Sequence, residues 1–172
     1  MTTEKPQNDL AVTEQQSSQL DAEPRPRPRV RRAHRGVGAM TRYVHRAYSR
    51  VLQRRLMPYN LTVAQYLHLR TLWQDGPMTQ IEISQRIGIE KASSTSVIDS
   101  LEKEGLILRV RDTQDRRKIN VSLSPKGEAL RDQVRIVARS VADDAVIGID
   151  DDELLLFFKI LDKMIANLDA AI

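Results

Sequence analysis

The chain has 172 residues, a formal net charge of +4 and no cysteine, and this length suits one domain with appendages. Without cysteine there are no disulfides, thiolate metal sites or thiol redox sensors, and the three histidines lack the spacing of a helical zinc site. No apolar run reaches the ~20 residues of a membrane span, and the N-terminus lacks the apolar core of a signal peptide. We therefore expect a soluble, cytoplasmic protein with no membrane, metal or cofactor partner.

The charges are unevenly distributed along the chain. Residues 36–142 carry 18 basic and 10 acidic side chains, whereas residues 143–172 carry two basic and eight acidic ones. A basic centre followed by an acidic end is typical of a protein whose middle binds a polyanion.

Residues 1–34 contain few large apolar side chains, and their last part forms the run PRPRPRVRRAHR, which ends at residue 35. This composition predicts a disordered, basic N-terminal arm, and the alternation of proline with arginine favours an extended conformation over a helix. Two roles remain open for the arm. It can lie along nucleic-acid phosphates, or it is a solvated tail that raises solubility.

Residues 36–57 predict a first helix, which Pro58 ends. One face is apolar and carries Val37, Met40, Val44, Ala47, Val51 and Leu56. The opposite face is a column of arginines four residues apart, formed by Arg42, Arg46, Arg50 and Arg54. Like charges at this spacing repel one another, so we expect an anion against the column. The acidic C-terminal segment of a partner subunit and a bound ligand are both open.

Capping boxes mark the starts of the next two helices, at 61–74 and 79–87. The paired residues are Thr62 with Gln65 and Thr79 with Glu82. The second helix has no single apolar stripe, which suits burial on more than one side. The buried face predicted for the third helix consists of Ile83 and Ile87, with Ile81 left open. Gly88 then supplies the tight turn of a helix-turn-helix.

Residues 91–104 predict a fourth helix whose inner face consists of Ser94, Val97, Ile98 and Leu101. Its opposite face is small and polar, and carries Lys91, Ser93, Thr95, Ser96, Asp99 and Ser100. Small polar residues let a helix sit deeply in the major groove of duplex DNA. The alternative is an ordinary solvent-exposed helix face.

Two alternating stretches, 106–111 and 119–123, predict a β-hairpin with a charged connection. Arg116 and Arg117 lie at the predicted tip, and Arg111 and Lys118 flank it. A basic hairpin beside such a helix suits the neighbouring minor groove, although a charged turn also suits solvent alone.

The C-terminal third predicts two more helices. Ser124 followed by Pro125 is an N-cap with proline at the first helical position, and it begins a long helix to about residue 147. Asp150 and Glu153 cap a final helix, which is apolar over a wider face than one chain can cover. A second copy of the chain would cover this face, so the sequence predicts a homodimer.

At the fourth helix, the hairpin and the cap that follows it, the sequence resembles the MarR family of bacterial transcriptional regulators, and the resemblance covers about residues 36–172. The motifs that carry the resemblance are GI at 88–89, LEKEGLI at 101–107, Arg109, Asp112, DRR at 115–117 and LSPKG at 123–127. The resemblance implies a mainly α fold with a small β-hairpin wing. A winged helix-turn-helix DNA-binding domain would occupy 61–124, and helical dimerisation regions would occupy 35–60 and 125–172.

The resemblance further implies an obligate homodimer that binds a pseudo-palindromic operator in double-stranded DNA, as a repressor associated with the nucleoid. The DNA-binding residues are then Lys91, Ser93, Thr95, Ser96, Ser100, Arg111, Arg116, Arg117 and Lys118. Asp115 and Arg117 match the family's ion pair within the wing, which leaves Arg116 freer to reach the groove. Ser96 and Ser100 stand where the family often has a basic residue, and Thr113 replaces a common proline. These departures predict sparse base readout and more dependence on DNA shape.

In the resembled family, a ligand pocket lies between the dimerisation helices and the DNA-binding domain and commonly takes aromatic acids. Residues here that combine flat apolar surface with cations for a carboxylate are Tyr43, Arg46, Arg50, Tyr66, His68, Arg70 and Trp73. Core packing is the alternative for each aromatic ring. The expected effector is a small aromatic carboxylate or its coenzyme A thioester.

Two other functional classes are the alternatives. An architectural DNA-binding protein without an effector agrees with the proline- and arginine-rich arm. A small enzyme has no support, because the sequence offers no nucleophile–base set, phosphate-binding glycine loop or metal motif.

Overall fold

The computed structural model describes residues 36–111 and 119–171, which belong to one compact unit, Arg35–Ile172. The predicted N-terminal arm and the predicted wing tip lie outside the described residues. Within them the helices are α1 Val37–Leu56, α2 Val63–Asp75, α3 Gln80–Ile87, α4 Lys91–Lys103, α5 Pro125–Ala129, α6 Arg131–Ala145 and α7 Asp151–Asp169. The strands are β1 Met78–Thr79, β2 Ile107–Arg111 and β3 Ile119–Leu123.

The three predicted capping boxes all form. In each, the N-cap side chain accepts a hydrogen bond from the backbone N–H three residues on, and that residue's side chain accepts one from the N-cap backbone. The pairs are Thr62 with Gln65, Thr79 with Glu82 and Asp150 with Glu153. These local hydrogen bonds satisfy backbone N–H groups that would otherwise have no partner, which fixes where α2, α3 and α7 begin.

The sheet has one more strand than the sequence predicted. Its order is β1-β3-β2 and both pairings are antiparallel, with Met78 opposite Val121 and Ile107 opposite Leu123. A strand of two residues is too short to show alternation, so the prediction of a two-stranded hairpin missed β1. The extra pairing fastens the start of α3 to the wing.

The long helix predicted over 125–147 is divided at Leu130 into α5 and α6. The interruption follows Gly127, whose carbonyl accepts a hydrogen bond from Trp73 Nε1 at 3.2 Å. In a continuous helix the same oxygen would accept from the N–H of Arg131. A contact with a distant residue has thus replaced part of the helical ladder.

The core lies where α2, α3 and α4 meet the base of the wing and one side of α6. Its fully buried side chains include Leu69, Ile83, Ile98, Leu101, Ile107 and Val134. On β2 the buried residue is Ile107, whereas Leu108 and Val110 face outward. The sequence did not decide whether Ile81 is buried, and the structure shows that it is exposed.

The apolar faces of α1 and α7 are largely uncovered. On α1 only Leu52 and Leu56 are buried, while the rest of the predicted stripe, including Val44 at 58 % exposure, faces outward. Helix α7 buries none of its residues, and its exposed apolar side chains are Leu155, Leu156, Phe157, Phe158, Ile160, Ile165 and Leu168. Uncovered apolar surface of this extent is typical of protein interaction sites.

Across residues 36–111 and 119–171, every helix is too short or too polar to cross a lipid bilayer.

Candidate nucleic-acid interface and ligand cleft

Helices α3 and α4 form a helix-turn-helix around Gly88. This glycine has a φ of 73°, a left-handed conformation that residues with a Cβ rarely adopt. The N–H groups of Gly88 and Ile89 both donate to the Ser84 carbonyl, at 3.0 Å each. The turn is therefore closed by the backbone, and it holds the two helices in a fixed relation.

The outward face of α4 carries the residues predicted to read DNA. Lys91, Ser93 and Ser96 are exposed, whereas Thr95 and Ser100 are half-buried. The Ser100 hydroxyl donates to Glu104 Oε1 at 2.9 Å and accepts from Gln65 Nε2 at 3.2 Å. Ser100 is thus committed to contacts inside the fold, and the free part of this face is its N-terminal half.

Gln80, the first residue of α3, belongs to the same surface, although sequence reasoning missed it. Its side-chain amide donates a hydrogen bond to the Thr95 hydroxyl, which in turn donates to the Lys91 carbonyl at 2.9 Å. The signal that could have found Gln80 is its position directly after the N-cap Thr79. In a helix-turn-helix the first turn of the first helix lies near the start of the second helix.

The wing is fastened to α4 through Arg109. Its guanidinium forms ion pairs with Asp99 and Glu102, one turn apart on α4. The hydrogen bond to Asp99 and the charge of Glu102 raise the pKa of Arg109. Arg111 is exposed two residues further along β2. The predicted wing residues Arg116, Arg117 and Lys118, and the ion pair of Asp115 with Arg117, lie outside the described residues.

The motif LSPKG closes the base of the wing. Ser124 Oγ donates to the Gly105 carbonyl at 2.6 Å and accepts from the Gly127 N–H at 3.0 Å, which caps α5. Lys126 Nζ donates to the Glu104 carbonyl at 2.8 Å. A Cβ on Gly127 would overlap the Leu106 carbonyl oxygen. The end of α4 and the start of the C-terminal helices are thus joined by hydrogen bonds from side chains of this motif to backbone carbonyls.

Two polar side chains of α2 contact α4. Gln65 Nε2 donates to Glu104 Oε1 at 2.7 Å as well as to Ser100. His68 is 1 % exposed, with Nδ1 at 2.8 Å from the Ala64 carbonyl and Nε2 at 3.0 Å from Ser94 Oγ. Because Nδ1 must donate to the carbonyl, neutral His68 accepts the Ser94 hydroxyl hydrogen at Nε2. Burial lowers the pKa of His68 and favours this neutral form.

The structure does not bring the predicted ligand residues together. His68 and Trp73 are buried and hydrogen-bonded inside the fold, which favours core packing for both. Tyr66 is also buried, and burial raises its pKa despite the nearby Arg70. Tyr43 lies exposed on α1, apart from these core rings.

Arg46 and Arg50, by contrast, line one open cleft of about 630 Å³ where α1 meets the start of α2. The remaining lining residues are His45, Ser49, Gln53, Arg54 and Val63, so none of the described residues that line the cleft is a carboxylate. Among the described residues, none of these arginines has an ion-pair partner. This cleft, which we call the arginine cleft, is suited chemically to an anion.

Gln53 connects the arginine cleft to α2. Its Oε1 accepts a hydrogen bond from the Val63 N–H at 3.0 Å, and its Nε2 donates to the Leu61 carbonyl at 3.1 Å. Both bonds hold the segment that contains the N-cap Thr62. Three residues after that cap, Gln65 contacts α4, so the cleft and the helix-turn-helix share the first turn of α2.

Comparison with known proteins agrees with this architecture. The model of the MarR family matches residues 61–119. The crystal structure of the transcriptional regulator PA3341 is 32 % identical, with a TM-score of 0.70 over 77 % of this chain and 98 % of that chain. BpsR of Bordetella bronchiseptica, described as regulated in its DNA binding by 6-hydroxynicotinic acid, is 26 % identical, with a TM-score of 0.68 over 74 % and 97 %. A mutant of E. coli MarR in complex with operator DNA is 23 % identical, with a TM-score of 0.69 over 74 % and 91 %.

A helix-turn-helix, a three-stranded wing and flanking helices together define a winged helix-turn-helix protein of mainly α class, as the sequence predicted. The chain belongs to the MarR family and is a transcriptional regulator of that family.

Proposed function

We propose that the protein is a homodimeric repressor that binds a pseudo-palindromic operator in double-stranded DNA and is released by a small aromatic carboxylate or its coenzyme A thioester. The observation that carries the proposal is the exposed, small polar N-terminal half of α4 beside the basic strand β2. The predicted domain boundaries, with dimerisation regions at 35–60 and 125–172 around the DNA-binding domain at 61–124, are part of the same proposal.

The α4 surface supports binding in the major groove. Its first turns expose Lys91, Ser93 and Ser96, which donate to phosphates and base edges without the bulk that would keep a helix at the groove's rim. Arg111 ends β2 on the wing, where a cation suits the adjacent minor groove. The operator complex of E. coli MarR, which has the same fold, supports this mode of binding.

The uncovered helices support the homodimer. Leu155 and Phe158 of α7 are 67 % and 53 % exposed, and the stripe on α1 is exposed in the same way. A second copy would bury both surfaces at once. A two-fold dimer presents two copies of α4 about 34–36 Å apart to successive major grooves, which requires a pseudo-palindromic operator.

The arginine cleft supports an anionic effector. Arg46 and Arg50 have room for a carboxylate or a phosphate, and BpsR is a relative whose named regulator is itself an aromatic acid. Gln53 binds the backbone at the start of α2, while Gln65 in the first turn of α2 donates to Ser100 of α4 and to Glu104 just after it. An anion that rearranges Gln53 would therefore alter the placement of α4, and linkage requires that DNA weaken effector binding equally.

Fluorescence anisotropy on the DNA upstream of the protein's own gene tests the proposal, at a fixed and stated salt concentration. Protein is titrated with and without a panel of aromatic acids and their coenzyme A thioesters. We expect sequence-specific binding and release by one class of compound. Binding that ignores sequence would favour the architectural alternative, and specific binding that no compound disturbs would overturn the effector part of the proposal.

Matched variants test the arginine cleft. Arg46→Gln and Arg50→Gln remove a cation that lines it, so the releasing concentration of effector should rise by roughly tenfold or more if one charged hydrogen bond is lost. Arg42→Gln removes a cation from the same column but outside the cleft lining, and it should leave the response unchanged. An equal response in all three variants would exclude the cleft as the effector site.

A further inference from the structure

The side chain of Thr95 is held by two hydrogen bonds on the outward face of α4. Its hydroxyl donates to the Lys91 carbonyl at 2.9 Å and accepts from the side-chain amide of Gln80. Thr95 is half-buried, between the exposed Ser93 and Ser96. It is the only threonine of α4.

These bonds limit what the Thr95 hydroxyl can do at a base edge. A hydroxyl has one hydrogen, and the Lys91 carbonyl takes it. The hydroxyl therefore cannot donate to the acceptors of guanine or to the N7 of adenine. One lone pair of the hydroxyl oxygen stays free, but it can accept only from the amino group of adenine or cytosine. The apolar group of Thr95 that remains for recognition is its methyl, and the partner for a methyl in the major groove is the C5-methyl of thymine.

Gln80 is fixed where it can hold this arrangement. It follows the N-cap Thr79, and the capping box with Glu82 orders the first turn of α3. Gln80 is itself half-buried against α4, so its amide is directed by the fold before any DNA arrives. A preorganised side chain loses less conformational entropy on binding.

We infer that Gln80 and Thr95 act as one specificity-determining unit. Gln80 is the positioning residue that keeps the Thr95 hydroxyl turned to Lys91, and the Thr95 methyl reads a thymine in each half of the operator. The inference rests on the proposed DNA binding. It adds the base that is read, thymine, the group that contacts it, the Thr95 methyl, and a contributing residue outside α4, Gln80.

The test removes one methyl from the DNA. The wild-type protein first selects its site from a random duplex library, and each thymine is then replaced by deoxyuridine, which pairs identically but lacks the C5-methyl. We expect one position in each half-site at which the replacement weakens binding about fourfold, the change that corresponds to about 0.8 kcal/mol for one buried carbon group. Replacement in both half-sites should weaken binding about 15-fold on the same basis.

Thr95→Ser isolates the protein's methyl. It keeps a hydroxyl for Gln80 and Lys91, so the fold should be unchanged, but the penalty for deoxyuridine should disappear. Ala92→Ser is the comparison, because Ala92 is an exposed residue at the start of α4 whose side chain is a methyl group. In Ala92→Ser, the loss of affinity caused by deoxyuridine should equal that of the wild-type protein.

Gln80→Ala tests the positioning role, with Gln85→Ala as the control at an exposed glutamine of the same helix. The deoxyuridine penalty should fall by at least half in Gln80→Ala and stay complete in Gln85→Ala. The inference is overturned if Thr95→Ser keeps the penalty, if Ala92→Ser removes it, or if both glutamine variants behave alike. Failure to enrich any sequence would instead overturn the proposed DNA binding itself.

Discussion

Buried polar side chains do much to define how α2 meets α4. Among the described residues, each buried side-chain nitrogen and oxygen has a hydrogen-bond partner. His68 and Ser94 form one such pair at the centre of the interface, both at 1 % exposure or less. An apolar interface can slide, whereas a buried hydrogen bond is lost when its partners move apart, so this pair fixes the register of the two helices.

His68 makes stability depend on pH in a definite direction. Burial lowers its pKa below 6.5, so the unfolded chain takes up the His68 proton at a higher pH than the folded chain does. Stability is therefore complete above about pH 6.5 and falls as the pH drops below that value toward the lowered pKa. Urea unfolding at pH 7.5 and pH 5.5, at one protein concentration, measures the difference.

His68→Gln retains a group that can accept from Ser94 but cannot take up a proton. The pH-dependent loss of unfolding free energy should be smaller in this variant than in the wild type. His45→Gln, at an exposed histidine, should leave that loss unchanged. Equal pH dependence in all three proteins would show that His68 does not control it.

Gly127 tolerates no side chain because the Leu106 carbonyl occupies the space of a Cβ. Gly127→Ala should therefore destabilise the protein by about 1–3 kcal/mol, the usual cost of forcing extra volume into a packed site. Gly38→Ala is the opposite case, since Gly38 lies within α1 with nothing near its missing Cβ. It should stabilise α1 by about 0.5–1 kcal/mol. Thermal and urea unfolding of both variants provide the comparison, and a neutral Gly127→Ala would contradict the packing argument.

How far single residues were predictable depended on the sequence distance to their partners. The capping residue Thr79 binds a group three positions away, so the sequence contained its whole explanation. Ser94 was predicted on the inner face of its helix by periodicity, but its partner His68 is 26 residues away and was unpredictable. The same limit concealed Gln80 and turned His68 and Trp73 into ligand candidates, because an aromatic ring gives no local sign of what it packs against.

At the scale of elements, the helices were predictable and their interruptions were not. Caps and periodicity located α1 to α4 and α7 within a few residues, because those signals act over one or two turns. Strand β1 has two residues and exists only through its pairing with β3. The division of α5 from α6 follows the hydrogen bond from Trp73, which is 54 residues from Gly127. Both features come from tertiary contacts.

The link between the wing and α4 depends on Arg109. Its ion pairs involve carboxylates that are 59 % and 40 % exposed, so Arg109→Gln should lower stability by no more than about 1 kcal/mol. The wing would nevertheless lose its fixed position, and we expect DNA affinity to fall more than stability does. Anisotropy and urea unfolding on the same preparation compare the two losses.

Arg135→Gln is the control for Arg109→Gln. It removes an exposed arginine from α6, whose ion pair with Asp132 is long at 4.0 Å. Neither stability nor DNA affinity should change appreciably. A loss of affinity equal to that of Arg109→Gln would point to overall charge, not wing position, as the cause.

For the whole molecule, the uncovered face of α7 is the dominant feature, and it leads to a test of the proposed dimer. Phe158→Glu places a charge in that face, so it should shift the protein from dimer to monomer in analytical ultracentrifugation. DNA affinity should fall with it. Lys159→Glu introduces glutamate at the adjacent position of the same helix, where the side chain is already charged, and it should leave the dimer intact. A dimeric Phe158→Glu protein would place the interface elsewhere.

Because α7 and α4 are different helices of the chain, the proposed dimer also has a genetic consequence. On the proposed dimer, a chain with a ruined recognition surface but an intact α7 still pairs with normal chains. When defective and normal alleles are expressed equally, random pairing leaves only about a quarter of the dimers with two working surfaces. Defective alleles of this kind would therefore be dominant over the normal allele, whereas alleles that disrupt α7 would be recessive.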